Sequence, residues 1–420
     1  MPIKIIIVGG GIAGLTAAAA LRRNGHEIKI FEQSSFSNEV GAAANLPPNV
    51  MPVLRQIEAD ENIMKPNQAY ALRVVPKDGK QPIIAMDPGM FEAETGIKAR
   101  WLLSHRADIH ACLRDAATRP IPGTSTPAFH LSSQVVAVDA QAGTVTFQDG
   151  TTESADLIIG ADGLHSVSIK EVIGEPPVIN TGQNCFRFLV PTEKVLNNPR
   201  TRSFITRAGV NTLDAIFDNE AKLKCMIYPC RQGSLLNLLV IHPSEHTNAD
   251  LQGGWHSPGS METLKTMMSG YYPQLQEVVA MAEDLKLWSF STRDPPPTYH
   301  KDRLVLIGDA AHHMLSHYGQ GAVQGMEDAG ALGVLLDATT TPANLPARLK
   351  AWNTMRYPRG TAVAIFGRTD LSQIDTVLPL AKKFVPGVEK PADMTKWLWA
   401  YDVVEDAKET LEELKREGEV

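Results

Sequence analysis

Gly9, Gly11 and Gly14 stand at GxGxxG spacing directly after the apolar run Ile3 to Val8, and residues of that type in that order hold a diphosphate. Gly9 permits a tight turn, Gly11 lets the main chain approach an anion, and Gly14 lets the next helix pack on the sheet. Ile12 and Ala13 open that helix, whose free N–H groups and positive dipole end stabilise negative charge. Glu32, with Gln33 beside it, ends a second strand, Glu27 to Phe31, where a carboxylate accepts hydrogen bonds from a ribose diol. A glycine turn without any ligand is one alternative, and a secretory signal beginning at Lys4 is another. Three consecutive glycines interrupt the core of such a signal, and the strand that follows completes a βαβ nucleotide unit. Two further apolar strands run into similar turns: Ala155 to Gly160 into Ala161-Asp162-Gly163, and Arg303 to Ile307 into Gly308-Asp309-Ala310-Ala311-His312. All three turns fall at strand carboxyl ends, where α/β sheets bind ligands. Asp309 can accept from sugar or polyol hydroxyls, or open an Asx turn.

The elements that must position these groups read as a discontinuous arrangement. The expected fold class is α/β, a Rossmann-like domain formed by residues 1–70, 100–180 and 295–360. A mainly antiparallel β-sheet domain (71–99 and 181–294) is inserted into it, and a helical segment (361–420) follows. Within the insertion, Cys185 to Val190, Ala221 to Tyr228 and Ser234 to Ile241 read as strands with one open face, a floor for a substrate. Ala13 to Asn24 reads as a helix ended by Gly25, Ser104 as the cap of a helix through Arg114, and Gly321 to Leu336 as a long helix. Glu405 to Gly418 is so charged that it reads as a solvated helix or frayed tail.

With 420 residues, 43% of them hydrophobic, the chain can fill more than one core. A formal net charge of −7 and the lack of a long basic run argue against a nucleic-acid partner. Four cysteines without paired CxxC spacing read as reduced and buried, not as a disulfide framework or zinc site. No stretch of the ~18 apolar residues that a span requires is present, so no membrane span is expected and the cytoplasm is the expected location.

Taken together, the motifs resemble the class A flavoprotein monooxygenases, the FAD-dependent aromatic hydroxylases, and among them the salicylate-hydroxylase-like branch, over about residues 3 to 360. The family's DGxxS stands as Asp162-Gly163-Leu164-His165-Ser166, and its GDAAH with Gly-x-Gly helix entry as Gly308 to His312 and Gly319-Gln320-Gly321. Gly41, Ala42 and Ala43 begin what resembles the loop over the flavin, and Arg106 matches the arginine of an HRxxL-like segment near the cofactor phosphates. The resemblance implies bound FAD, with Asp309 at the ribityl chain and the N–H groups of Gly319, Gly321 and Ala322 at the flavin's pyrimidine edge. Two departures stand out: Ile169 and Lys170 occupy the place of the arginine after DGxxS, and His313 and Ser316 replace two prolines.

The implied reaction uses transient NADH or NADPH and O2 to hydroxylate a phenolic or aromatic-acid small molecule through a flavin hydroperoxide, in a monomer or homodimer. A flavin oxidase or dehydrogenase is the alternative within enzymes, and a flavin redox sensor the alternative outside them. Arg187 and Tyr228 lie on the expected floor and could orient an anionic substrate, with a structural role the alternative for each. His313 and His317 are the candidates for a general base. His312, His313 and His317 form a histidine cluster for which capping or a substrate hydrogen bond is expected in preference to metal, so no metal is assigned.

Overall fold

The computed structural model describes residues 2–35, 42–175, 177–208, 211–247, 256–369, 371–388 and 391–420. Ile5 to Val8 are buried and mostly β-branched, and a strand of that kind is stable when both faces are covered. The strand Lys4–Val8 accordingly lies inside a six-stranded sheet, paired in parallel with Glu27–Phe31 and with Leu157–Gly160, beyond which lies Leu304–Leu306. Ala128–His130 forms one edge and the antiparallel His300–Lys301 the other. This is the expected α/β class, and all three ligand-type turns stand at the same end of the sheet.

The helix between the first two strands is α-helical over Ile12–Leu21 and tightens to a 3-10 turn at Arg22–Asn24 before Gly25. It packs against Gly321–Leu335 through small residues, so closely that a Cβ on Gly333 would lie 2.6 Å from that of Ala20. The helix Arg106–Thr118 starts one residue later than Ser104 would allow. Ser104 belongs to the strand Leu102–His105 and donates to the Met64 carbonyl, while His105 Nδ1 accepts from the Ala107 N–H at 3.3 Å.

The second sheet has eight strands, in the order His256–Pro258, Glu283–Thr292, Ile179–Pro191, Leu235–Pro243, Leu223–Cys230, Thr212–Asp218, Ala71–Val74 and Ile83–Met86. Strand alternation divides its side chains. Phe186, Phe188, Leu238, Val240 and Ile227 pack with Leu264, Leu275 and Val278 of flanking helices. Cys185, Tyr228, Leu239 and Ile241 face the other way. That second face is not open as expected, because Trp101, Met314, Leu315, Ile365, Phe366 and Trp399 pack into the same cluster and roof it.

The charged C-terminal stretch is neither frayed nor wholly solvated. Val403, Ala407 and Leu411 recur at helical spacing on Val403–Glu417 and bury one stripe, which packs against Gly321–Leu335. All four cysteines are unpaired and buried, and burial pushes the Cys112 thiol up to about 11.

Between Gly321–Leu335 and the long helix Leu345–Phe366 lies an ion network with no sequence signature. Arg356 donates to Asp328 at 2.9 Å and to Glu327 at 2.8 Å, Arg359 donates to Glu327 at 2.8 Å, and His312 Nε2 meets Asp328 at 2.6 Å. Burial alone would raise both carboxyls. Arg359 and Arg356 around Glu327, and His312 and Arg356 around Asp328, outweigh it and hold both below the ordinary range. The stability the pair confers is therefore complete above an unfolded carboxyl's value of about 4 and is lost as the pH falls further. Glu327→Ala leaves two buried guanidiniums without their shared carboxylate and is expected to cost about 3–5 kcal/mol, read as a lower denaturation midpoint; an unmoved midpoint would remove the network from the stabilising groups.

Candidate active site

The glycine turn is built by contacts that a side chain would prevent. Gly9 has φ +104°, and a Cβ on it would lie 2.4 Å from the Ala161 carbonyl, while a Cβ on Gly14 would lie 2.0 Å from the Gly9 carbonyl. Gly11 differs: a Cβ there would meet no protein atom within 4 Å, so it would project into the cradle at the start of the helix Ile12–Leu21. No side chain caps that helix start. Glu32 reaches across the turn, one oxygen accepting from the Gly10 N–H at 2.8 Å and the other from the Ser34 N–H at 2.8 Å, with Gln33 exposed next to it. His110, which sequence reasoning passed over, closes the far side with Nε2 at 2.9 Å from the Gly10 carbonyl.

The other two turns converge on the first, since Ala161 touches Gly9 and a Cβ on Gly308 would lie 3.0 Å from that of Ala13. Asp162 spends its carboxylate on its own turn, accepting from Ser166 Oγ at 2.6 Å, the Val167 N–H at 2.8 Å, and both the N–H and Oγ of Ser168 at 3.0 Å. Asp309 keeps a carboxylate directed at the cradle, its side chain 42% exposed, with His313 Nδ1 at 3.6 Å. Enclosure on the protein side works to raise this carboxyl, but His313, His312 and Arg106 outweigh it and hold it below the ordinary range. Arg106 is the exposed first residue of its helix, and its N–H donates to the Ala42 carbonyl at 3.0 Å. Gly319 has φ +64° and leads into Gly321–Leu335, whose start likewise has no side-chain cap, so the N–H groups at Gly321 and Ala322 stay available to a ligand edge. Gly41 lies outside the described residues.

The floor changes two of the expected roles. Tyr228 donates its hydroxyl to the Ala43 carbonyl at 2.9 Å, and Asn237 Oδ1 accepts from the Ala43 N–H at 3.0 Å. Tyr228 therefore anchors the strand Ala43–Leu46, which pairs with Leu102–His105, and burial raises its phenol above the ordinary range. His313 belongs to the cradle, not the floor, with Nε2 at 2.9 Å from the Ser291 carbonyl and Nδ1 toward Asp309. Burial works against its charged form, but Asp309 and that carbonyl raise its pKa overall, and both ring nitrogens face protein groups, not the floor.

Two expected residues do reach the floor. Arg187 is half-buried, its guanidinium carbon 5.6 Å from the Trp288 ring centroid, and its Nε has no hydrogen-bond partner among the described residues. His317 Nδ1 lies 3.4 Å from Lys224 Nζ. Lys224 was missed, although it shares a strand face with Met226 and Tyr228 by simple alternation. The histidine cluster thus disperses, because only His312 lies in the short helix Asp309–His312, His313 follows its end and His317 sits in the separate turn Ser316–Tyr318. His312 enters the ion network, His313 meets Asp309, and His317 meets Lys224.

An open glycine cradle, an accepting carboxylate and two uncapped helix starts on one sheet end fit a flavin dinucleotide, and the roofed second sheet beside them defines a two-sheet flavin oxidoreductase. Residues 2–366 match the family model described as FAD binding domain. The FAD-dependent monooxygenase cfoG of Aspergillus candidus is 33% identical over 97% of this chain and 95% of its own length. The 3-amino-4-hydroxybenzoate 2-monooxygenase of Streptomyces cremeus is 31% identical over 86% of this chain and 85% of its own. A salicylate hydroxylase substrate complex shares the fold, with a TM-score of 0.72 at 23% identity over 97% of this chain and 98% of that one. The chain belongs to the FAD-binding-domain family and is an FAD-dependent monooxygenase. An oxidase, a dehydrogenase and a redox sensor are thereby set aside.

Proposed function

We propose that this monooxygenase hydroxylates a phenolic or aromatic-acid small molecule, with NADH or NADPH as reductant, on the floor formed by Arg187, Lys224 and Trp288. FAD, when bound, accepts a hydride and activates O2. The observation that carries the reading is the presence of two cations and an indole on one half-buried sheet face beside His317, two residues before Gly319. A relative that acts, by its name, on a hydroxylated aminobenzoate supports it. Arg187 binds the anionic end of the ring, and Trp288 covers it. Lys224 and His317 hold the phenolic oxygen and take up its proton, making the ring more electron-rich. Tyr228 and Asn237 fix Ala43 at the start of the strand above and help keep water out. The buried, unpaired thiols accord with a reducing compartment such as the cytoplasm.

A panel of phenols and aromatic acids, scored for product and for reductant consumed, tests this reading. Arg187→Ala is expected to raise KM for an anionic substrate by about tenfold or more while FAD content stays at the wild-type level; unchanged kinetics would remove Arg187 from the floor.

A further inference from the structure

Arg293 follows the strand Glu283–Thr292, where the second sheet hands the chain back to the first. Only 4% of the residue is exposed, and its Nε and Nη1 have no hydrogen-bond partner among the described residues. The segment is pinned from outside, since Arg368 Nη2 donates to the Arg293 carbonyl at 3.2 Å and to the Asp294 carboxylate at 2.9 Å. The negative charges that reach the guanidinium are those of Asp309 and Asp162, and the imidazoles of His165 and His313 feel it in turn. Neither carboxylate is its ion-pair partner. Asp162 is occupied by its own turn, and Asp309 faces His313.

Holding a guanidinium out of water without a partner is unfavourable, because the lost hydration is not replaced. The charge makes sense if the working state brings an anion to it. Geometry puts the residue there: the Ser291 carbonyl, two residues before it, lies 2.9 Å from Nε2 of His313 beside the Asp309 turn, the Asp162 turn touches the glycine turn through Ala161, and the Asp309 turn touches it through Gly308 and Ala13. A diphosphate at the Gly11 cradle lies where these three turns meet.

We infer that Arg293 supplies the fixed positive charge that balances a dinucleotide diphosphate between the Asp162 and Asp309 turns, an inference that rests on the assignment of those turns to FAD. The same chemistry could be brought by resident FAD or by the visiting nicotinamide dinucleotide, and the enclosure of the side chain favours the resident one. The guanidinium acts through its charge in a low-dielectric setting, so a lysine should retain much of the effect and a neutral residue should not.

The test titrates the full-length chain with FAD, following quenching of flavin fluorescence, and then titrates the loaded chain with NADH and NADPH. Arg293→Gln is expected to weaken FAD binding by about tenfold or more, while Arg293→Lys stays within a few-fold of wild type. Weakened nicotinamide binding with normal FAD binding would assign the charge to the visitor. Arg293→Met, measured without added FAD, should have a melting temperature no lower than wild type, because it removes a buried charge that has no protein partner. Wild-type affinity of Arg293→Gln for both dinucleotides would overturn the inference, as would a marked loss of stability in Arg293→Met. Failure of the wild-type chain to bind FAD would instead overturn the assignment of the cradle.

Discussion

Asp309→Ala should yield a protein that purifies nearly colourless. The wild-type carboxylate is partly exposed toward the cradle and kept ionised by His313, His312 and Arg106. A carboxylate in that state accepts strongly from a polyol hydroxyl, and a hydrogen bond to a charged group contributes about 1.5–3 kcal/mol. Loss of that hydrogen bond corresponds to a fall in FAD affinity of roughly 10-fold to 100-fold. Flavin content per chain, read from the visible spectrum against protein concentration, checks this. A mutant as yellow as wild type would contradict the role of Asp309. The sign with pH is also set: a carboxyl held below the ordinary range binds FAD fully at neutral pH and loses its contribution only as the pH falls through its lowered value.

Gly11→Asp should abolish flavin binding while leaving the fold intact, and that separation makes it informative. Gly11 has ordinary backbone angles, φ −73° and ψ −172°, and a Cβ there meets no protein atom within 4 Å. An aspartate therefore costs the protein little on its own account, yet it places a negative charge where a diphosphate must lie. Like charges a few ångströms apart in a partly desolvated site repel by about 4 kcal/mol, enough for a roughly 1000-fold loss of affinity. Gly11→Ala, smaller and neutral, should fall between. Circular dichroism and melting without FAD should match wild type, while FAD titration should show no saturation. Normal flavin binding by Gly11→Asp would move the diphosphate away from this turn.

The nucleotide half was legible because its signals are local. Ile5 to Val8 must be covered on both faces, and the glycines at 9, 11 and 14 follow within a few residues. The strands of the second sheet were legible from alternation, Arg187 from its place on one of them, and His317 from the histidine cluster that follows Asp309. What could not be read depends on partners far along the chain or on main-chain atoms. Glu327 and Asp328 look ordinary in sequence, and only folding brings Arg356 and Arg359 to them, from 28 to 32 residues further on and on a different helix. Tyr228 looked like a substrate ligand because nothing in a sequence marks the Ala43 carbonyl as its acceptor. Arg293 gave no signal at all, since its meaning comes from burial without a partner. The stripe Val403, Ala407 and Leu411 was readable, but the charged residues around it obscured the helix face that packs.

The most direct test of a floor that presents a phenolic ring to an oxygen-activating flavin is turnover under 18O2. The FAD-loaded enzyme, NADH or NADPH and a panel of phenols and aromatic acids would be combined, and products analysed by mass spectrometry. One labelled oxygen atom in a hydroxylated ring, formed with the consumption of one reductant, is the expected result. Label recovered only as hydrogen peroxide across the whole panel, from an enzyme whose flavin is reduced normally, would contradict it.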